Sequence, residues 1–138
     1  ITVESSSKEE EAEDLLNFTN SLKYIADGKT NYTKFPIETI VDRGGDCEDF
    51  AILYATLLRA RKINPILITL EDSFLKESHL AVGVPGNFAG SYYLVNGRRY
   101  FYSEATPGID GSKSSMGEVP KKFKDLFVRI YTLPKLEE

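Results

Sequence analysis

Residues 44–64 read GGDCEDFAILYATLLRARKIN, a stretch that holds the strongest helix signal in the sequence and its only cysteine. Along it, apolar side chains recur at spacings of three and four residues: Phe50, Leu53, Tyr54, Leu57 and Leu58. Asp46 is a good N-cap residue, and Asp49 three residues later can complete a capping box. The pattern predicts a helix that buries the apolar stripe and carries Cys47 in its first turn.

The segments on either side of this helix predict the rest of the fold. Upstream, an apolar stripe predicts a helix from about Glu9 to Ile25, and residues 26–36 have the composition of a loop. Downstream, short β-branched and aromatic segments predict strands at 65–70, 78–84, 91–95, 99–104 and about 127–132, with one helical turn near 120–125. Asn96-Gly97 predicts a type I′ hairpin. Helices followed by strands indicate an α+β domain whose antiparallel sheet packs on the cysteine helix.

Composition limits the domain count and the class of partner. The chain has 138 residues and a net charge of −4, enough for one domain, which we place at residues 9–138 after a polar lead-in of residues 1–8. The acidic balance argues against a nucleic-acid partner and leaves a substrate as the expected one. No apolar run approaches membrane-spanning length. Because the sequence opens without methionine, we expect a fragment of a larger protein; its oligomeric state is not indicated.

The single cysteine and single histidine cannot serve the usual structural roles of these residues. One cysteine cannot form an internal disulfide, and one of each cannot supply a four-ligand zinc site. Cys47 instead lies at the predicted N-terminus of a helix, where the helix dipole and unpaired N–H groups stabilise a thiolate. The position predicts a nucleophile.

Two further residues complete a catalytic set if the predicted sheet forms. His79 lies in the strand 78–84 with only Ala81 and Gly83 as neighbours on its own face, which leaves room beside the imidazole. Glu104 ends the strand 99–104 and can accept a hydrogen bond from the second imidazole nitrogen. A nucleophile, a base and an orienting carboxylate are the groups that acyl transfer through a thioester requires.

Three stretches, GGDCEDFAILYATLLRARKIN, SHLAVGV and YFYSEATP, resemble the transglutaminase-like superfamily of cysteine enzymes, most closely its bacterial and archaeal cysteine protease branch. The resemblance covers residues 9–132 and implies a papain-like core. It also implies that Cys47 is the nucleophile, His79 the general base and Glu104 the orienting acid. Many members have aspartate at the third position, so the longer Glu104 requires a shift of the strand or the imidazole.

The absence of tryptophan is a second departure from the family, because a tryptophan supplies an oxyanion donor in animal transglutaminases. Here the backbone N–H of Cys47 would need a side-chain donor beside it. Tyr24 and Tyr32 are our candidates for that donor.

The DCED sequence resembles a bacterial periplasmic protease branch in which acids flanking the nucleophile bind calcium. Asp46, Glu48 and Asp49 are therefore candidate calcium ligands, since calcium accepts six to eight oxygens in loose geometry. The alternative is structural: Asp46 caps the helix, and the other two acids suit its positive end. The chemistry itself requires no cofactor.

Together these features predict cysteine-dependent acyl transfer on protein amides through a thioester, with hydrolysis of a protein or peptide substrate as the narrower prediction. A protein-crosslinking transglutaminase is one alternative. A non-catalytic binding module of a larger surface protein is the other. The resemblance further implies an extracytoplasmic location or membrane anchoring through regions outside this chain.

Overall fold

The computed structural model describes residues 7–25, 33–72, 77–109 and 114–134. The helical elements are α1 (Lys8–Asn20), α2 (Pro36–Asp42), α3 (Cys47–Ala60) and the 3₁₀ turn Lys121–Phe123. The strands are β1 (Lys23–Tyr24), β2 (Gly44–Gly45), β3 (Ile66–Asp72), β4 (Glu77–Pro85), β5 (Tyr92–Val95), β6 (Arg98–Ser103) and β7 (Phe127–Thr132). The predicted α+β class is confirmed.

Five strands form an antiparallel sheet in the order β5-β6-β4-β3-β7. The predicted hairpin joins β5 to β6, where Val95 pairs with Arg98 across a two-residue turn. Asn96 and Gly97 have φ angles of 52° and 78°, and two positive φ angles are what a type I′ turn requires. The predicted strands on the described residues are all present, with ends shifted by one or two residues.

Helix α3 packs on one face of the sheet as its apolar stripe predicts. Phe50, Leu53, Tyr54 and Leu58 are fully buried, whereas Leu57 is only partly buried. Phe50, Tyr54 and Leu58 belong to one cluster with Ala12, Leu15 and Leu16 of α1 and Val82 and Val84 of β4. Burying each large apolar side chain contributes about 1.5–3 kcal/mol, so this cluster fixes α3 against the sheet. The N-terminus of α3 is thereby held in place.

The opposite face of the sheet carries a second apolar cluster that continues into the C-terminal part of the chain. Its buried members are Ile66, Ile68, Leu70, Ala81, Tyr102 and Phe123. Leu70 pairs with His79 across the β3–β4 ladder, and Ala81 follows His79 on the same face. The imidazole therefore projects toward the side of the sheet that the 3₁₀ turn covers.

Helix α1 is shorter than predicted and is followed by a strand. It ends at Asn20 instead of Ile25, and the Asn20 amide donates to the Leu16 carbonyl in its last turn. Lys23–Tyr24 then pairs in parallel with Gly44–Gly45. Ile25, placed on the apolar stripe by the sequence, is 42% exposed. The strand pairing of Lys23–Tyr24 with β2 therefore ends α1 before its periodic apolar pattern ends.

The predicted boundaries at the start of the chain and in the loop after α1 also change. Ser7 caps α1 by accepting from the backbone N–H of Glu10, so the helix begins at Lys8, inside the predicted lead-in. Pro36, predicted to lie in a loop, is the first residue of α2, a position that proline favours because its missing N–H would be unpaired there. Residues 26–32 of that predicted loop lie outside the described residues. Among the described residues, none of the helices combines the length and apolar character needed to cross a membrane.

The glycines before the cysteine allow two close approaches of the backbone. A Cβ atom on Gly44 would lie 2.1 Å from the Lys23 carbonyl oxygen, and one on Gly45 would lie 2.6 Å from the Cβ of Asp49. Neither glycine has a positive φ. Their role is therefore to let β1 and the Asp49 side chain approach the loop that precedes Cys47.

Candidate active site

Cys47 is the first residue of α3 and its free thiol is partly exposed. The predicted capping box is present: the Asp49 backbone N–H donates to Asp46 Oδ1 at 3.0 Å, and the Asp46 N–H donates to Asp49 Oδ2 at 2.9 Å. Helix geometry leaves the Cys47 N–H without an acceptor inside the helix, and the dipole places positive charge at this end. The local environment thus suits both a thiolate and an oxyanion.

Asp49 organises the loop around the thiol. It is fully buried, and its second oxygen, Oδ1, accepts the backbone N–H of Lys34 at 2.8 Å. Its carboxylate therefore joins three pieces of chain: the segment before α2, the loop at Asp46 and the first turn of α3. The absent side chain of Gly45 makes room for it.

The structure brings His79 and Glu104 into direct contact. His79 Nε2 lies 2.8 Å from both carboxylate oxygens of Glu104, and both residues are buried. Val82 pairs with Ser103 in the β4–β6 ladder, so the next residue, Glu104, lies level with Ala81 and diagonal to His79 on the same face. The predicted contact follows from this register, and the additional methylene of glutamate does not prevent it.

Three more groups hold Glu104. The Tyr102 hydroxyl donates to Oε1 at 2.7 Å, and the Thr106 backbone N–H donates to Oε2 at 3.2 Å. The side-chain amide of Asn20 donates to the Glu104 carbonyl oxygen at 3.2 Å, which ties α1 to the end of β6. The sequence reasoning missed these partners, although Tyr102 could have been inferred from its position two residues before Glu104 on the same face.

Phe123, in the 3₁₀ turn, stacks on the imidazole of His79. The ring centroids are 4.2 Å apart and the planes are inclined by 16°. Stacking limits ring rotation and keeps water from the His79–Glu104 pair. No sequence signal pairs the two rings, because a long loop separates Phe123 from the strands.

The electrostatics of the site favour the charged imidazole. Burial is the largest influence and by itself would lower the pKa of His79, but hydrogen bonding with Cys47 and Glu104 and attraction to their negative charges raise it to about 9. Because Nε2 faces Glu104, Nδ1 is the nitrogen left to face the thiol. The arrangement can hold a thiolate–imidazolium pair.

Cys47 and His79 open onto one cavity of about 860 Å³. Tyr24, one of the two candidate oxyanion donors, also lines it; Tyr32 lies outside the described residues. Leu70, Ile109, Phe123 and Leu126 give the cavity apolar surface, whereas Lys23, Asp72 and Lys122 give it charged groups. An apolar cleft with a few convergent polar groups is typical of a substrate site.

The three candidate calcium ligands have different surroundings. Asp49 is buried with both oxygens accepting backbone N–H groups, so the structure gives it a structural role. Asp46 is partly exposed and Glu48 exposed, with Glu48 Oε2 accepting from the Thr33 hydroxyl at 2.8 Å. Within the described ranges, no three His, Cys, Asp or Glu side chains gather closely enough to hold a metal.

Comparisons with known proteins bear on the family and the fold. The family model described as a transglutaminase-like domain matches residues 1–103, which include Cys47 and His79 and stop just before Glu104. The chain belongs to this family. No curated protein matches the sequence of this transglutaminase-like domain.

Solved structures of Legionella pneumophila LapG share the fold of this transglutaminase-like domain. The calcium-bound LapG structure has a TM-score of 0.65 at 20% identity, over 96% of this chain and 74% of that one. EGTA-treated LapG gives a TM-score of 0.63 at 20% identity, over 93% of this chain and 68% of that one. At this identity the likeness establishes the fold alone.

Proposed function

We propose that this transglutaminase-like domain is a cysteine-dependent hydrolase of protein or peptide amides. The observation that carries the proposal is the buried His79–Glu104 pair beside Cys47 in one cavity, with the thiol at the N-terminus of α3. A cysteine used only for packing needs no charged imidazole beside it. Each group has the chemistry of one role in acyl transfer.

In the first half of the reaction, the proton of the Cys47 thiol resides on His79 Nδ1, and the thiolate attacks the carbonyl carbon of the scissile amide. The negative oxygen of the tetrahedral intermediate accepts hydrogen bonds from the Cys47 N–H and, in our proposal, from the Tyr24 hydroxyl. His79 then gives its proton to the leaving nitrogen. The C–N bond breaks, the amine departs and a thioester remains on Cys47.

In the second half, His79 Nδ1 removes a proton from water, and the hydroxide oxygen attacks the thioester carbonyl. Collapse of the second tetrahedral intermediate breaks the C–S bond and releases the carboxylic acid. Glu104 retains its charge throughout, since it fixes the ring orientation and stabilises the imidazolium. An amine in place of water would give the crosslinking reaction instead.

Calcium is proposed as a structural ion, on the grounds that one LapG structure is calcium-bound. Of the three candidate ligands, Asp46 and Glu48 are the ones with exposed surface beside Cys47, and a site there would need backbone or water oxygens to complete the six to eight that calcium accepts. The ion would restrain the loop that carries the thiol, and no chemical step requires it. Melting in calcium and in EGTA tests this: calcium should raise the melting temperature of the wild type, and Glu48→Gln should reduce the rise. An identical response in the variant would contradict the assignment.

The hydrolase proposal is tested with a proteome-derived peptide library and a labelled primary amine. The wild-type protein should generate new peptide N-termini, as detected by mass spectrometry, and Cys47→Ala should generate none. Incorporation of the amine without new N-termini would favour crosslinking. The absence of both products, with Cys47 no more reactive than a free thiol, would favour a binding module.

A further inference from the structure

The side chain that orients the imidazole is itself held by a buried phenol. Tyr102 is fully buried, as is Glu104, and its hydroxyl donates to Glu104 Oε1 at 2.7 Å. The carboxylate of glutamate has one more rotatable bond than that of aspartate, so more conformational freedom must be removed to fix it against His79. The Tyr102 hydroxyl and the Thr106 N–H act on opposite oxygens and supply this restraint.

The position of the phenol is fixed by the sheet. The Tyr102 N–H donates to the Ser91 carbonyl at 3.0 Å, and the Tyr102 carbonyl accepts from the Gly117 N–H at 2.7 Å. Its ring packs in the cluster that also contains Ala81 and Phe123. The hydroxyl is therefore aimed at Glu104 by a buried ring on a backbone that is held at both its N–H and its carbonyl.

We propose that Tyr102 is a positioning residue of the active site: its hydroxyl keeps the Glu104 carboxylate charged and oriented, so that His79 can hold the proton of Cys47. This inference rests on the proposed function, since it assigns a role within the same catalytic set. A hydrogen bond to a buried charged group changes an ionisation equilibrium by about ten- to a hundredfold. Without the hydroxyl, the Glu104 carboxylate should be held less firmly against the imidazole, and His79 should lose part of its support for the charged form.

The test measures iodoacetamide alkylation of Cys47 against pH by intact mass, which is unambiguous because the chain has one cysteine. The acidic limb of the profile is the range in which the alkylation rate rises with pH. In Tyr102→Phe this rise should occur about one pH unit higher, so the reaction on that limb should be about tenfold slower. Tyr54→Phe is the matched control, because it also removes a buried phenol, one that donates to the Ala12 carbonyl at 2.8 Å. That variant should lose stability and keep the wild-type profile.

The groups that could also move this profile are unchanged in both variants. They are the Asn20 amide and Thr106 N–H around Glu104, the charged side chains Lys23, Asp72 and Lys122 that line the cavity, and the acids at the start of α3, Asp46, Glu48 and Asp49. All profiles are measured in EGTA, so that no ion bound at Asp46 and Glu48 contributes to them. A Tyr102→Phe profile that overlays the wild type would overturn the inference and leave the hydrolase proposal intact. A wild-type thiol no more reactive than glutathione would instead overturn the hydrolase proposal.

A second sample covers the case in which Tyr102→Phe does not fold. Global incorporation of 3-fluorotyrosine in a Tyr24→Phe background keeps every remaining ring and hydroxyl in place, and the fluorinated phenol is a stronger hydrogen-bond donor. The acidic limb should then move down relative to the same background with ordinary tyrosine. No movement, or movement upward, would contradict the role of Tyr102.

Discussion

Replacing Glu104 by glutamine tests how far one carboxylate sets the charge on His79. The substitution keeps the size of the side chain and removes its charge. In the wild type the pKa of His79 is raised from 6.5 to about 9, which leaves about 99% of the ring protonated at pH 7. In the variant only Cys47 opposes the effect of burial, so we expect the pKa of His79 to fall well below about 9. A return to the ordinary value of 6.5 would leave about a quarter of the rings protonated at pH 7.

The same shift predicts how stability depends on pH. A histidine whose folded pKa exceeds its unfolded pKa stabilises the protein fully below the unfolded value, and this contribution is lost as pH rises through the folded value. For His79 the window runs from 6.5 to about 9. The shift corresponds to about 3 kcal/mol at 1.36 kcal/mol per pKa unit. If the thiol kept its proton, the free energy of unfolding of the wild type would fall by about that amount across this window. In the charged pair the proton on His79 comes from Cys47, and the unfolded thiol recovers it, so the two contributions cancel up to the ordinary thiol pKa of about 8.5. The proposed pair therefore predicts a nearly level free energy of unfolding from pH 6.5 to about 8.5.

Two measurements follow the prediction. NMR titration of the imidazole is simple because the chain has one histidine, and urea unfolding at about pH 6.5 and 8.5 gives the free energy. Glu118→Gln is the control, since Glu118 is exposed and should change neither result. A midpoint that stays near 9 in Glu104→Gln would refute the assignment of the charge to this pair. A fall of about 3 kcal/mol in the free energy of unfolding of the wild type would contradict proton transfer from Cys47 to His79.

Three further substitutions test other parts of the site. Gly45→Ala places a methyl group 2.6 Å from the Cβ of Asp49, so it should lower the melting temperature and slow alkylation of the cysteine; an unchanged thiol reactivity would contradict the role of this loop. Phe123→Ala should lower the free energy of unfolding by about 3–5 kcal/mol because it removes a buried ring. Phe127→Ala, at a position that is 61% exposed, should lower it much less. Equal losses would contradict the packing of Phe123 on the imidazole. Tyr24→Phe should slow peptide cleavage by about a hundredfold while leaving alkylation unchanged, because alkylation forms no oxyanion; normal cleavage would exclude this hydroxyl as the donor.

The sequence predicted the elements whose periodicity is set by the core. Helix α3 shows this most clearly, since its apolar stripe and capping box are both present as predicted. The strands β3 to β7 alternate or run apolar for the same reason, and their order along the chain was enough to suggest the His79–Glu104 contact. The His79–Glu104 contact forms because of the pairing register between β4 and β6. A register cannot be inferred from the sequence of one strand alone.

The elements that were missed lack such a signal. Helix α2 has seven residues and leaves Ile37 and Val41 exposed, at 64% and 70%, so its apolar pattern does not indicate a buried face. Strands β1 and β2 have two residues each, and β2 is a pair of glycines, which disfavour strands by propensity. Phe123 reaches the site through a tertiary contact that no local pattern encodes, whereas the place of Tyr102 could have been inferred from its spacing of two residues from Glu104.

The most direct test of the catalytic set is the reactivity of the single thiol at neutral pH. Intact-mass kinetics of iodoacetamide alkylation should give a rate well above that of glutathione in the wild-type protein, because the imidazolium and the helix N-terminus stabilise the thiolate. In His79→Gln the rate should fall to near that of glutathione while the protein remains folded by circular dichroism. A wild-type rate no higher than that of glutathione, or a rate unaffected by loss of the imidazole, would contradict the proposed role of this cysteine.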